Sequence, residues 1–335
     1  MGGRARPTGR PVREREFHAW LARHLWAGHN GLLPLGDDAA ALRPPPGQVA
    51  VVSTDALVEG THFLPESPSE LVGAAATAVS LSDVAAKGAT PVAVVIALLI
   101  PPGTPRRWAE GVLRGAEAMA RRHGAHVVGG DTKPSPVRSL VSTVVGWGTP
   151  GRLVPRSGAR PGDRLVTTGD VGRGGLAAWT LNRTPRNRAR ALAGMLAVRP
   201  RVREGIALAR YAHAMLDTSD GLADSARLLA EASRVRVVVE EERIPFASPV
   251  RRRFPAGAAR RTVALFGGDY ELFAALPPHA VPRASAAVAR VGGRLTVVGR
   301  VERGRGAWLA HANGLRAMPP AGWQPFERAR FRTPT

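Results

Sequence analysis

The stretch VVSTDALVEGTHF, residues 51–63, is the most informative part of this chain. The apolar run that ends at Val52 is followed at once by the oxygen-bearing side chains of Ser53, Thr54 and Asp55. This pattern predicts a buried strand whose carboxyl end delivers hydroxyl and carboxylate oxygens into a cleft. Such oxygens are the ligands that Mg²⁺ prefers. For this stretch alone, a strand followed by an ordinary Asp-initiated turn is the alternative interpretation.

Similar acids recur along the chain. Most follow an apolar or glycine-bounded segment, whereas one lies on an Ala/Val/Leu-rich predicted helix. Because strand ends meet at one edge of an α/β sheet, we expect these carboxylates to lie close together and to repel one another unless divalent cations neutralise them. Each acid alone is typical of a turn, but the set predicts a site for several Mg²⁺ ions. Its members are Asp37, Asp38, Asp55, Asp83, Asp131, Asp217 and Asp220.

The length of 335 residues favours two domains over one core. Predicted strands and helices alternate through both halves. A stretch rich in Pro and Gly, residues 150–163, is typical of a linker. We therefore predict a basic arm (1–15), an N-terminal domain (16–149), a C-terminal domain (150–326) and a tail (327–335).

Several classes of site are excluded by composition. The chain has no cysteine, which rules out disulfides, thiolate zinc sites and a cysteine nucleophile. It lacks a GK[ST] P-loop, an HExxH pair and a G-x-S-x-G elbow. No apolar run is long enough to cross a bilayer, and no secretory leader precedes Phe17, so we expect a cytoplasmic protein without membrane partners.

The net charge of +21 raises the hypothesis of a nucleic-acid partner. The alternative is a general bias toward arginine, because the only lysines are Lys87 and Lys133 and the arginines are scattered along the chain. Aromatic residues are only 5% of the chain, and no base-stacking platform is visible. The arginine bias is the favoured interpretation, which argues against nucleic-acid binding.

A glycine-rich loop, residues 169–175, lies between a predicted strand and a predicted helix. This arrangement can present backbone N–H groups to phosphate. The glycine spacing does not match the dinucleotide fingerprint, so as a single signal the loop is weak.

Several segments match one known family in form and in order. The chain resembles thiamine-monophosphate kinases, within the aminoimidazole-ribonucleotide-synthetase-like superfamily, over nearly its whole length. The segments that carry the resemblance are Gly36–Ala39, Ser53–Asp55, Gly60–Phe63, Ser82–Ala86, Gly129–Thr132, Arg156–Asp163, Asp217–Gly221 and Gly267–Leu272.

The resemblance implies a two-domain protein of the α/β (α+β) class, whose N-terminal domains form a homodimer through a barrel-like sheet. It also implies transfer of the γ-phosphoryl group of ATP to thiamine monophosphate, which gives thiamine diphosphate. Residue by residue, it assigns several Mg²⁺ ions to Asp37, Asp38, Ser53, Thr54, Asp55, Asp83, Asp131, Asp217 and Asp220. It assigns ATP contacts to Gly130, Asp131, Arg156 and Ser219, and substrate contacts to His62, Asp269 and Trp323 or Phe326.

No general base is expected, because the acceptor phosphate has a second pKa of about 6 and is largely dianionic at neutral pH. Metal ions and in-line positioning would supply the catalysis, with Asp55 and Asp131 as the most critical acids. In one place the chain departs from the family, which usually reads Gly-Gly-Glu-Asp-Tyr-Glu-Leu. Here Gly268 is followed directly by Asp269, so one acid of the motif is missing and Asp269 is expected to make the substrate contact at this turn.

The sequence leaves other hypotheses about function to be compared with this one. Aminoimidazole ribonucleotide synthetase activity on the same scaffold is a second enzyme hypothesis. Selenophosphate synthetase and the hydrogenase-maturation dehydratase are disfavoured, because both chemistries usually use a cysteine or selenocysteine. The non-enzyme hypothesis is an arginine-rich nucleic-acid binder, and the retained carboxylates argue against it.

Overall fold

The computed structural model describes Val12, Glu16, Phe17, Trp20, His24 and residues 39–183 and 188–319. Four of the expected site residues, Asp37, Asp38, Trp323 and Phe326, lie outside these residues. The described residues form two compact units, one of residues 12–81 and 91–147 and the other of residues 82–90 and 148–319. The second unit includes residues 82–90, which the predicted domain boundaries place with the N-terminal domain, and those boundaries stay a prediction.

The first unit contains a four-stranded sheet with the strand order β1-β4-β2-β3. Its elements are β1 (Val49–Val58), α1 (Ser69–Ala86), β2 (Thr90–Ile100), α2 (Arg106–Arg122), β3 (His126–Pro134) and β4 (Ser139–Gly148). The last turn of α1, from Ser82, is counted with the second unit. Two glycines allow α1 and α2 to pack closely, since a Cβ on Gly73 would lie 1.8 Å from the Val112 carbonyl oxygen and one on Gly115 would lie 1.9 Å from that of Glu70.

This sheet is open in the described residues, with β1 and β3 as its outer strands. Strands β2 and β3 run parallel, as expected for strands joined by a crossover helix. The described residues of one chain therefore form no closed barrel, and the barrel-like dimer sheet that the family resemblance implies is not confirmed. No helix in the described ranges has the length and apolar character needed to cross a membrane.

The second unit contains a seven-stranded sheet with the strand order β11-β10-β7-β9-β5-β8-β6. Its strands are β5 (Arg164–Thr168), β6 (Ala214–Asp217), β7 (Arg236–Glu240), β8 (Leu272–Leu276), β9 (Leu295–Glu302), β10 (Gly306–His311) and β11 (Gly314–Ala317). Its helices are α3 (Arg173–Arg183), α4 (Arg188–Leu196), α5 (Val202–Leu208), α6 (Leu222–Ser233), α7 (Ser248–Arg253), α8 (Ala258–Leu265) and α9 (Val281–Arg290).

Both faces of this sheet are buried. Leu165 and Leu216 belong to a core that includes the apolar face of α6, whereas their chain neighbours Val166 and Met215 belong to a core that includes residues of α5 and α9. This alternation follows from the two-residue period of a strand. Because both faces are covered, strands such as Ala214-Met215-Leu216 are apolar at every position. The expected two-domain α/β class is confirmed.

Candidate functional site

The acids of the second unit gather around the end of β6. This strand is an edge of its sheet, and its buried residues Ala214 to Leu216 deliver Asp217 at the carboxyl end, as the sequence predicted. The Ser82 hydroxyl donates to Oδ2 of Asp217 (2.6 Å), and the Ser219 hydroxyl donates to Oδ1 (2.9 Å). Both carboxylate oxygens of Asp217 are therefore held in place.

Burial and mutual repulsion raise the pKa values of two of these acids. Burial, followed by the charge of Asp83, raises the pKa of Asp217 to about 6. Burial also raises the pKa of Asp220, and the charges of Asp224 and Asp83 add to this effect. The acids of the second unit thus repel each other in the way that the sequence argument required, and a bound cation would relieve this repulsion.

Two positively charged side chains, those of Lys87 and Arg156, lie near the same acids. Lys87 donates from Nζ to the Met215 carbonyl oxygen (3.0 Å), which joins the 82–90 segment to β6. Burial, followed by the charge of Arg156, lowers the pKa of Lys87 to about 8. Sequence reasoning missed Lys87 as a site residue, although it is one of two lysines in an arginine-rich chain.

In the first unit, the prediction that Ser53, Thr54 and Asp55 lie at the carboxyl end of their strand was wrong. Strand β1 continues six residues past Val52 to Val58, so Ser53, Thr54 and Asp55 lie within the strand. Alternation in a strand sends Thr54 to the opposite face from Ser53 and Asp55. There its Oγ1 lies 2.9 Å from Oγ1 of Thr143.

Asp131 likewise lies inside a strand, β3, and is exposed. Its Oδ1 accepts a hydrogen bond from the Thr132 N–H (2.8 Å) and forms an ion pair with Nζ of Lys133 (3.0 Å). Gly130 lies so close to β2 that a Cβ would lie 2.0 Å from the Ile96 carbonyl oxygen. This residue must therefore be glycine if β2 and β3 are to pair here.

Asp55 and Asp131 do not meet within one copy of the sheet. Their strands, β1 and β3, are its two edges, with β4 and β2 between them. Three inter-strand spacings separate the two backbones by roughly 14 Å. The expectation that these acids gather at one sheet edge was wrong, because the strand order could not be inferred from the sequence.

His62 lies in the turn that follows β1. Its Nδ1 accepts a hydrogen bond from the Val58 N–H (3.0 Å), so the neutral ring carries its proton on Nε2. Burial lowers the pKa of His62, which favours this neutral form. The ring can therefore offer an Nε2–H donor to a ligand.

Asp269 has a structural role that the sequence did not predict. Its Oδ2 accepts from the Gly172 N–H (2.6 Å) and its Oδ1 from the Gly174 N–H (3.1 Å). The glycine-rich loop considered for phosphate binding thus already gives these N–H groups to a carboxylate of the same chain. These two N–H groups are therefore not free for phosphate, whereas the expected substrate contact by Asp269 stays a prediction.

We expect Asp269 to make stability depend on pH. Burial raises the pKa of Asp269 to about 7 from an ordinary value of 3.8, although the loop N–H groups favour its charged form. Between these values the folded state holds a proton that the unfolded state has lost, so its contribution to the free energy of unfolding falls as the pH rises from about 4 to about 7.

Urea unfolding at pH 5 and pH 8 tests this expectation. The Asp269→Asn variant should lose part of the pH dependence, and it should be destabilised by about 1–3 kcal/mol at pH 5, where a hydrogen-bond acceptor is lost. Asp170→Asn, in the same loop, is the control. An Asp269→Asn variant with the wild-type pH dependence would contradict the assignment.

Next to Asp269, Glu271 forms a buried network that sequence reasoning also missed. Its Oε2 accepts from the Thr168 hydroxyl (2.6 Å), and its Oε1 is paired with Arg201. The segment Gly267–Leu272 was noted in the sequence, but no signal distinguished the role of Glu271 from that of its neighbour.

The donor set fits Mg²⁺ in one particular way. Within the described ranges, no group of three or more His, Cys, Asp or Glu residues could hold a metal ion by itself. Mg²⁺ is commonly held by one or two carboxylates together with substrate phosphates and water. The carboxylate of Asp217, with the neighbouring charges of Asp83 and Asp220, fits a Mg²⁺ site that substrate phosphates and water complete.

Comparison with known proteins identifies the family. The family model for the N-terminal domain of AIR synthase related proteins matches residues 36–149, and the model for their C-terminal domain matches residues 160–309. The thiamine-monophosphate kinase of Synechococcus elongatus is 36% identical over 299 residues, covering 82% of this chain and 88% of the relative.

Solved structures agree with these matches. The thiamine-monophosphate kinase of Stenotrophomonas maltophilia has a TM-score of 0.76 and 30% identity, covering 88% of this chain and 94% of that one. The structure of AaThiL complexed with AMPPCP and TMP has a TM-score of 0.71 and 28% identity, covering 84% of this chain and 88% of that one. This chain belongs to the thiamine-monophosphate kinase family of AIR synthase related proteins.

Proposed function

We propose that this chain transfers the γ-phosphoryl group of ATP to thiamine monophosphate, giving thiamine diphosphate and ADP. The observation that carries the proposal is the set of mutually repelling acids at the end of β6, since phosphoryl transfer between two anions depends on cations. The family membership and the related structure with AMPPCP and TMP support the choice of substrates.

Within this proposal, Asp83, Asp217 and Asp220 of the second unit and Asp55 and Asp131 of the first are the Mg²⁺ ligands. Bound Mg²⁺ would neutralise phosphate charge. The chain's own contribution is positioning: Ser82 and Ser219 fix both oxygens of Asp217. Asp37, Asp38, Ser53 and Thr54 remain proposed ligands from the family resemblance.

The remaining proposed contacts concern the two substrates. Gly130, Asp131, Arg156 and Ser219 are proposed for ATP. His62, through Nε2–H, and Asp269 are proposed for thiamine monophosphate. Trp323 or Phe326 is proposed as a further substrate contact. Because the acceptor phosphate is already largely dianionic near pH 7, no residue needs to remove a proton. We also propose a cytoplasmic location, which cell fractionation would test.

We further propose that the first unit forms a homodimer through its open sheet. Val52 on β1 is 61% exposed and Val49 is 41% exposed, so an apolar strand faces solvent in a single chain. Unpaired edges and exposed apolar surface are features that a second copy can cover. If β1 of one copy joins β3 of its partner, Asp55 comes beside Asp131 of the other copy.

A coupled ADP-release assay tests the function. We expect ADP release that requires both thiamine monophosphate and Mg²⁺, and that stops when EDTA is added. Formylglycinamidine ribonucleotide is the control acceptor, because turnover with it instead of thiamine monophosphate would indicate the aminoimidazole ribonucleotide synthetase reaction. An absence of turnover with either acceptor would reject the enzyme hypothesis.

A further inference from the structure

A second charged feature of the second unit adjoins the loop that follows β6, because Gly268, in its wall, donates its N–H to the Ser219 carbonyl oxygen (2.7 Å). A cavity of about 790 Å³ is bordered by α3, by α4 and by the loops around residues 169–173, 197–201 and 292–294. This volume is in the range of small-molecule sites. Among the described residues, six arginines and three acids line it: Arg173, Arg190, Arg199, Arg201, Arg253 and Arg294, with Asp170, Asp269 and Glu271.

The three acids already have partners in the protein. Asp170 is paired with Arg173 (3.3 Å) and with Arg294. Glu271 is paired with Arg201, and Asp269 accepts the loop N–H groups described above. Asp170 and Glu271 are thus neutralised by arginines of the cavity itself, whereas Asp269 is held by backbone N–H groups.

The other three arginines keep their charge uncompensated. Within the part of the chain that the structure describes, no carboxylate lies within ion-pair distance of Arg190, Arg199 or Arg253. The guanidinium of Arg253 lies 4.6 Å from the ring centroid of Trp179, which in turn packs edge-on against Phe254 at 5.2 Å. This cation–π contact orients Arg253 without neutralising it.

We propose that this cavity binds a small molecule carrying a phosphate or diphosphate group, through Arg190, Arg199 and Arg253 and without a divalent cation. Guanidinium groups bind phosphate oxygens in pairs and stay charged at every physiological pH. These arginines can attract phosphate directly, whereas the acids near β6 can favour phosphate only when cations are bound. The inference therefore does not depend on the proposed phosphoryl transfer.

Isothermal titration calorimetry in EDTA, with inorganic pyrophosphate as the probe, tests the proposal. We expect binding that weakens with added salt and that falls at least about tenfold in the double variant Arg190→Ala/Arg199→Ala. The double variant Arg210→Ala/Arg290→Ala, which removes the same charge from exposed positions outside the cavity, should bind like the wild type. Asp217→Asn should also keep the binding, because the acid cluster is not used.

Two more titrations compare organic ligands that carry the anion, and a second variant serves if the first double variant does not fold. Titrations with ADP and with thiamine diphosphate show which organic group is preferred over pyrophosphate. Arg253→Met, whose side chain can still cover Trp179, provides a second variant that should weaken binding if the first double variant does not fold. Absence of binding in EDTA by all three probes, or equal losses in the cavity and control variants, would overturn the proposal.

Discussion

The Asp217→Asn variant should lose about 10³-fold in kcat/KM, which corresponds to about 4 kcal/mol of transition-state stabilisation. The reason is specific to its position. Asp217 is held on both oxygens by Ser82 and Ser219, and it faces the charge of Asp83. Asparagine has the same shape and can keep contacts with both hydroxyls, but it cannot supply the negative charge that a cation requires.

The same substitution should leave the metal-free protein as stable as the wild type, or more stable. Burial raises the pKa of Asp217 from 3.8 to about 6, so its ionisation opposes folding. Its contribution to the free energy of unfolding therefore falls as the pH rises from about 4 through about 6. At pH 8 without metal, Asp217→Asn should be stabilised by up to about 3 kcal/mol, a value that follows from the pKa difference.

These two effects are measured together. Steady-state ADP release gives kcat/KM, and urea unfolding in EDTA at pH 5 and pH 8 gives the stability. Glu302→Gln, on β9 of the same sheet, is the control and should change neither quantity much. Retained activity in Asp217→Asn, or a large loss of metal-free stability at pH 8, would show that this carboxylate serves folding and not cation binding.

A mixed dimer should recover activity that neither parent has. Asp55→Asn and Asp131→Asn should each lose about 10³-fold in turnover as homodimers, because each removes a proposed cation ligand from both sites. A purified heterodimer of the two variants should have about half of the wild-type turnover, because one of its two symmetry-related sites would contain both intact acids. This result follows only if β1 of one copy lies beside β3 of the other.

Differently tagged chains, co-expressed and purified on both tags in succession, make this measurement possible. The control is a doubly tagged homodimer in which both chains carry Asp55→Asn, and it should stay inactive. If the two acids act within one chain, the heterodimer contains no complete site and stays inactive too. Failure to recover any doubly tagged dimer would contradict the proposed association.

Sequence reasoning succeeded where local chemistry and local structure agree. The buried run Ala214 to Leu216 ends at Asp217 in both the prediction and the structure, because hydroxyls, an acid and Gly221 follow it at once. The same reasoning failed at Val52, because Ala56 to Val58 continue the apolar pattern past Asp55 and pairing with β4 extends the strand through the polar residues.

It failed also where a residue's role depends on a distant partner. The structural role of Asp269 could not be predicted, because its carboxylate binds loop N–H groups nearly a hundred positions away in the chain. Lys87 was overlooked because its partner, the Met215 carbonyl oxygen, is a backbone atom with no sequence signal of its own. Contacts between remote segments leave no local pattern to detect.

By itself, the sequence determined the class of fold, the family and the inventory of acids available for phosphate chemistry. These depend on hydrophobic periodicity, composition and ordered motifs, all of which are properties of the linear chain. Only the tertiary structure decided which acids meet: Asp83, Asp217 and Asp220 come together in the second unit, while Asp55 and Asp131 lie on opposite edges of one sheet. The physical reason is that electrostatic coupling depends on distance and burial in space, and strand order sets both.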